Sequence, residues 1–299
     1  MLEEKSDFRV TTTTEKSDYS TVIDTHQVLA IGNCLEILKD ENIVPRNKIR
    51  LTVTSPPYGL GKDYGGIYSD KFNLDAWLDM IGEVSHLVYE ATAPDGSFFL
   101  NISPIPDYKS KEIVPLDAYA FPEVRKQGFH LRNKIIWHFN NMQNPTRRLA
   151  GRWEAVLWFV KDIQNYIFNL DKIRVPYITI GDKRIKGTGR NPTDVWYFDR
   201  VNNMTKAKLG INFPAVYPEP MIERILKMSS DRGDWVLDPF LGSGTTMRVA
   251  KMLGRNSIGI EINPKYVNMI RRRVEPEKAT VHGRTDFKII NYGSGTSSK

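Results

Sequence analysis

Apolar positions along the chain fall into short β-branched or aromatic runs that alternate with longer stripes of helical period. RLTVT (50–54) is a strand-forming run that stops at Pro56 and Pro57. From Leu74, the residues Leu74, Trp77, Leu78, Ile81, Val84, Leu87, Val88 and Ala91 recur at three- and four-residue spacing, which predicts a helix. Asn73 is placed to cap it, and Pro94, Asp95 and Gly96 to close it. SFFLNI (97–102) reads as a buried strand, and a second helix-like stretch ends at Gly128. NKIIWHF (133–139) and AVLWFV (155–160) are strand-like. Proline, glycine and charge break up 171–212 into short strands and loops. A helix near 218–230 puts Met221, Ile222, Ile225 and Leu226 on one face, and a turn at 231–234 leads into the strand WVLDPF (235–240). A helix over 245–253, the strand SIGIEI (257–262) and a helix over 264–274 complete the pattern.

Strands alternating with amphipathic helices predict an α/β fold: a mostly parallel sheet covered on both faces. Ligands of such sheets bind beyond the carboxyl ends of the strands. The two strand ends rich in unusual residues, 54–58 and 238–244, are therefore expected to face one cleft. Residues 1–20 are polar, without apolar periodicity, and read as a flexible tail; 276–299 is assigned to a C-terminal tail. No internal repeat occurs.

Composition narrows the chemistry. One cysteine, Cys34, excludes a disulfide framework and a thiolate metal cluster, and the five histidines lack ligand spacing, so no metal is expected. No apolar run approaches the ~18 residues of a membrane span. The acidic, polar first residues do not resemble a secretory signal, and a reducing cytoplasm is the expected compartment. Between 147 and 208 there are 13 Lys and Arg against 6 Asp and Glu, an excess equal to the +7 of the whole chain. Aromatic residues, among them Trp153, Trp158, Tyr166, Trp196 and Tyr197, are interleaved with these bases. That is the footprint of a polyanion surface. Arg147, Arg148, Arg152, Lys183, Arg184, Lys186 and Arg190 are the contact candidates. Arg271, Arg272 and Arg273 read instead as a solvated helix end.

DPFLGSGTT (238–246) follows a strand and opens a helix. Gly242 and Gly244 allow backbone to approach a ligand closely. The N–H groups at Ser243, Gly244, Thr245 and Thr246 suit a carboxylate or phosphate. Glu261, 19 residues beyond Gly242, ends the next strand and is placed to accept both hydroxyls of a ribose. No lysine follows Gly244 as a P-loop needs, and Met247 stands where a dinucleotide site wants a third glycine. Asp238 suits a cationic amino group better than a phosphate. S-adenosyl-L-methionine, an amino acid joined to adenosine, satisfies all three features, with Asp238, Pro239, Phe240, Gly242, Ser243, Gly244, Thr245, Thr246 and Glu261 as the binding set.

TSPPYGLGKDY (54–64) carries the second signal. Pro56 and Pro57 have no N–H, so their carbonyls are expected to stay out of any ladder and face the cleft as acceptors. Ser55 adds a hydroxyl, Tyr58 a flat aryl face, and Gly59, Gly61, Gly65 and Gly66 a loop able to close. An amine held by Ser55 and the Pro56 carbonyl, on a ring stacked against Tyr58, is the fitting guest.

TSPPY together with DPFLGSGTT resembles the amino-directed DNA methyltransferases, and the catalytic motif preceding the cofactor motif is similar to the order of their beta group. HQVLAIGNCLEILKD, NKIIWHFNN, GRNPTDVW and FPAVYPEPMIERIL also look like family segments. The resemblance implies a Rossmann-like, doubly wound fold with an inserted target-recognition region. It divides the chain into a catalytic half (21–164), a recognition region (165–212) and a cofactor half (213–275). It implies S-adenosylmethionine as cofactor, and Ser55, Pro56, Pro57 and Tyr58 as the catalytic tetrapeptide. Asn33 stands where the family has an aspartate against the cofactor adenine, and Phe213 where it has a leading histidine. Double-stranded DNA is the implied partner, with a cognate restriction endonuclease as a candidate one. A serine in first place is commoner in cytosine-N4 enzymes, so cytosine is favoured over adenine-N6. A non-catalytic nucleic-acid-binding subunit of the same fold is the rival reading.

Overall fold

The computed structural model describes residues 24–59, 73–107, 109–140, 144–177, 189–275 and 283–292. The chain opens with β1 (Thr25–Ile31), a short α1 (Cys34–Ile37) and β2 (Ile49–Thr54). Then come α2 (Leu74–Ala91), β3 (Thr92–Ile102), the small strands β4 (Ile105–Pro106) and β5 (Ile113–Val114), and α3 (Leu116–Lys126). β6 (His130–His138), β7 (Trp153–Val160), β8 (Val195–Tyr197) and α4 (Asn203–Lys208) follow. The last third holds α5 (Glu219–Ser229), β9 (Trp235–Asp238), α6 (Thr245–Met252), β10 (Asn256–Glu261), α7 (Val267–Val274) and β11 (Thr285–Asn291).

Nine strands form one sheet in the order β11-β1-β10-β9-β2-β3-β7-β6-β8. Only β7 runs against the rest: it pairs antiparallel with β3 and β6, and every other pairing in the sheet is parallel. The period-two alternation of the strands divides the core between two faces. Ile49, Phe98, Leu100, Ile102 and Leu237 pack with Ile37, Ile81, Val84, Val88 and Ala120 of α1, α2 and α3. Leu51, Val53, Phe99 and Val236 pack with Met221, Ile222, Ile225 and Val249 of α5 and α6. Leu29 and Ile31 meet Met269, Ile270 and Val274 of α7. This is the expected doubly wound α/β architecture. Among the described residues no helix is long and apolar enough to cross a membrane.

Asn73 caps α2 as expected, its side chain accepting from the Ala76 N–H at 3.1 Å. The expected stop at Pro94, Asp95 and Gly96 is a different object. α2 ends at Ala91 and β3 begins at once. While β2 advances from Ile49 to Leu51, the partner on β3 advances from Thr92 to Ser97, so these residues form an irregularity inside the strand. Gly96 permits it: a Cβ there would lie 2.7 Å from Thr92 Cγ2 and 2.9 Å from the Arg50 carbonyl oxygen.

A further departure concerns one edge of the sheet. The segment 276–299, assigned to a tail, contributes β11, which pairs in parallel with the whole of β1. Its half-buried Phe287 and Ile289 pack against one core cluster and Ile290 against another, while Asp286, Lys288 and Asn291 are exposed. The stretch 165–212 supplies β8, which joins the main sheet beside β6. Residues 1–20 lie outside the described residues.

Candidate active site

β2 and β9 are neighbours in register, Thr52 opposite Leu237, so the two chosen strand ends leave the sheet side by side. Thr54 Oγ1 donates to Asp238 Oδ1 at 2.6 Å and ties them together. Beyond them lies a cleft of about 320 Å³. Ser55, Pro56, Pro57 and Tyr58 line one side, and Asn33, Pro239, Phe240, Gly242, Ser243 and Glu261 line the other.

At the glycine loop, Gly242 and Gly244 have φ of 54° and 80°, left-handed values that favour glycine. A Cβ at Gly242 would meet the Phe213 ring at 2.7 Å. Phe213 lines the cleft and packs edge-on to Tyr266, with ring centroids 4.9 Å apart. Glu261 closes this end. Its Oε2 accepts the Gly242 N–H and its Oε1 the Asn263 N–H, both at 2.9 Å. Each carboxylate oxygen retains a further acceptor site. Burial pushes the Glu261 carboxyl up to about 7, against the opposing pull of those two N–H groups. Asn33 caps α1, its side-chain oxygen accepting from the Leu35 N–H at 2.9 Å.

Asp238, Gly244, Thr245 and Thr246 do not line the cleft. Asp238 is 1% exposed, and its oxygens take the hydroxyls of Thr54, Thr246 (2.7 Å) and Tyr217 (2.9 Å) and the Phe240 N–H (3.1 Å). Burial raises its pKa and these donors oppose the rise. Instead of presenting a bare charge to a ligand, Asp238 joins β2, β9, α6 and the Tyr217 segment at one point. The solvated reading of the arginine triplet is corrected at Arg273, which is buried. Its guanidinium donates to the Ser243 carbonyl and to Thr245 Oγ1, and pairs with Glu219 at 2.9 Å. Arg271 and Arg272 are exposed.

At the other end, the Pro57 carbonyl is not free, because the Trp77 indole N–H donates to it at 2.8 Å. No bond to the Pro56 carbonyl occurs among the described residues. Tyr58 is 7% exposed, and its hydroxyl is embedded in a network. It meets Ser55 Oγ at 2.7 Å, the Asn101 carbonyl at 2.9 Å, Asn101 Nδ2 at 3.0 Å and Glu154 Oε2 at 3.3 Å. Gly61, Gly65 and Gly66 lie outside the described residues. Burial pushes the Cys34 thiol up to about 12, which keeps it protonated near neutral pH.

β7 runs antiparallel to β3, with Ile102 opposite Ala155, so the chain entering β7 stands at the same edge of the sheet as Ser55. The connection from β6 to β7 carries Arg147, Arg148 and Arg152, all exposed. Arg190 is half-buried and its backbone bridges Val175. Lys183, Arg184 and Lys186 lie outside the described residues. Sequence reasoning missed five residues that build the site: Trp77, Asn101, Glu154, Arg200 and Tyr217. Trp77 lay in a helical stripe that reads only as core, and Asn101 and Glu154 lay in strands read for their apolar neighbours. Arg200 lines the cleft with its guanidinium over the Phe139 ring, and its one signal was the basic excess of its segment.

The fold is a doubly wound α/β sheet whose cleft carries the buried Glu261 carboxyl at one end and the Ser55 hydroxyl and proline carbonyls at the other. The profile of the N6/N4 DNA methylases matches residues 49–272, and the chain belongs to that family of S-adenosylmethionine-dependent, amino-directed methyltransferases, beta group. It is 34% identical over 254 residues to the Type II methyltransferase M.ScaI of Streptomyces caespitosus, covering 82% of this chain and 80% of that protein. It is 31% identical over 255 residues to the DNA adenine methyltransferase YhdJ of Escherichia coli K12, covering 82% and 81%. The PvuII cytosine-N4-specific DNA methyltransferase shares the fold, with a TM-score of 0.67 at 21% identity over 89% of this chain and 97% of that one. A putative DNA modification methylase of Thermus thermophilus, solved with S-adenosyl-L-methionine, has a TM-score of 0.60 at 25% identity, covering 89% and 100%. The cleft fits that cofactor on its own geometry: a buried acceptor, Glu261, lies at one end and the acceptor-rich Ser55 turn at the other, in one continuous space.

Proposed function

We propose that the chain methylates the exocyclic amine of a base flipped out of double-stranded DNA at a specific sequence, and that this base is cytosine, modified at N4. One observation carries the reading: the Ser55 turn and the Glu261 loop, about 200 residues apart in the chain, line a single cleft. Glu261, Asn33 and the glycine loop hold the nucleoside end. Bound there, S-adenosylmethionine supplies an electrophilic sulfonium methyl group. The target amine is a poor nucleophile because its lone pair is delocalised into the ring. Ser55 Oγ and the Pro56 carbonyl accept hydrogen bonds from its two protons and turn the nitrogen's lone pair toward the methyl. Tyr58 walls the base on one side, and Trp77 holds the turn by its bond to Pro57. Orientation and fixed dipoles account for the rate, with no covalent enzyme intermediate. Flipping costs a few kcal/mol, offset by contacts in the cleft and by Arg147, Arg148 and Arg152 on the duplex.

Serine in first place supports cytosine. The similarity to YhdJ supports adenine-N6 as the second reading, since both bases present an amine to the same acceptors. The similarity to Type II methyltransferases supports a restriction–modification setting with a cognate endonuclease, in the cytoplasm. The test is incubation with DNA and methyl-labelled cofactor, digestion, and identification of the labelled nucleoside: N4-methylcytosine is expected, N6-methyladenine reverses the base assignment, and no label refutes the activity. Ser55→Ala and Tyr58→Ala are expected to abolish transfer while cofactor affinity persists.

A further inference from the structure

One direction of the hydrogen bonds around the Tyr58 hydroxyl serves Ser55, Asn101 and Glu154 together. A tyrosine hydroxyl has one proton and two acceptor sites. Asn101 Nδ2, at 3.0 Å, can only donate to it. The Asn101 backbone carbonyl at 2.9 Å and, as a carboxylate, Glu154 Oε2 at 3.3 Å accept, and they compete for its single proton. Ser55 Oγ, at 2.7 Å, can take either role, and as donor to Tyr58 it leaves the tyrosine proton for those two acceptors. In that role Ser55 commits its proton inward, and the lone pairs of its Oγ remain for the cleft that it lines. The Asn101 amide does not reverse this order, because its Nδ2 also donates to Glu154 Oε2 at 2.7 Å, and a flipped amide would set oxygen against the carboxylate.

From this chain of bonds we propose that Glu154 is a positioning residue for methyl transfer: its carboxylate, acting through Asn101 and Tyr58, makes Ser55 an obligate acceptor for the target amine. The inference rests on the function proposed above. It also gives the amine's proton a route. As the nitrogen forms its bond to the methyl carbon, the carbon–sulfur bond breaks and its electron pair stays on sulfur, leaving the methylated nitrogen with one proton too many. That proton passes to Ser55 Oγ, the Ser55 proton passes to Tyr58, and the Tyr58 proton passes to Glu154, whose carboxylic acid later releases it to water. Atoms and charge balance without any other reactant.

Glu154→Gln keeps the shape but can donate, so the direction of the chain of bonds is lost. The single-turnover rate of transfer to DNA is expected to fall about 10²-fold, the usual reach of a proton-handling group. KM for DNA, affinity for S-adenosylhomocysteine and the melting temperature should stay at wild-type values. Glu154→Asp should recover part of the rate. Tyr58→Phe, which keeps the ring and cuts the relay, should lose a similar factor, and the double variant should be no slower than Tyr58→Phe alone. A Glu154→Gln rate within a few-fold of wild type, losses that multiply in the double variant, or a loss confined to cofactor affinity or melting temperature overturns the proposal. A wild-type protein that labels no DNA overturns the proposed function and this inference with it; product from wild type without a Glu154→Gln deficit overturns the inference alone.

Discussion

Glu261 is the residue on which pH acts. Burial raises its carboxyl from 4.5 to about 7, so in the empty site it is largely neutral at pH 6 and ionised at pH 8. The ionised form accepts hydroxyl protons more strongly, by about 1 kcal/mol per bond. Affinity for S-adenosylmethionine is therefore expected to rise as pH rises through about 7, by roughly 5-fold per bond gained. Isothermal titration at several pH values checks this, and Glu261→Gln should flatten the profile. The sign for stability is opposite. A carboxyl with a raised folded pKa stabilises the folded form at low pH, so the empty protein loses stability as pH climbs from 4.5 to about 7. Glu261 was legible in the sequence from its spacing to the glycine turn. Asp238 was legible as part of the motif but not in its role, because two of its four hydrogen-bond donors, Thr54 and Tyr217, come from other parts of the chain.

Between secondary-structure elements, the junction of α5, α7 and the glycine loop supports the end of the cleft proposed for the cofactor. Arg273 of α7 bonds the Ser243 carbonyl and reaches Glu219 of α5, which also pairs with Arg248 of α6 at 3.0 Å. Desolvation lowers the Arg273 pKa and Glu219 opposes it, so the charge is held by its partner. Removing one member of a buried pair usually costs about 3–5 kcal/mol. Because Arg248 still neutralises Glu219, Arg273→Ala is expected to cost about 2 kcal/mol, below that range. Thermal melting should show the drop, and cofactor affinity should fall with it as the loop loosens. Sequence periodicity placed α2, α5, β2 and β9 because each has an apolar face of one period. It missed β11, whose alternation is short and whose flanks are polar; the edge of β1 gives that segment its order. Period alone also could not distinguish a turn at 94–96 from an irregular strand.

Across the molecule, the basic excess of 147–208 meets the cleft at one edge of the sheet. The connection bearing Arg147, Arg148 and Arg152 emerges there, and Arg200 lines the cleft itself. Each phosphate contact adds about 0.9 to the slope of log K against log salt. Replacing Arg147, Arg148 and Arg152 together by alanine is expected to lower that slope by about 2–3, weakening DNA binding across sequences. Fluorescence anisotropy over a salt series measures it, and cofactor affinity should not change.

Residue order alone was enough for the alternation of strands and helices, the two motifs and the basic charge of 147–208. All of these are local properties, set by side-chain period, by glycine and proline, and by composition. Folding in three dimensions was needed to place β2 beside β9, to turn Arg273 inward, and to join Ser55, Tyr58, Asn101 and Glu154 in one run of hydrogen bonds. Strand order and hydrogen-bond direction arise from contacts between residues far apart in the chain, and no local pattern encodes which distant partner a polar group will meet.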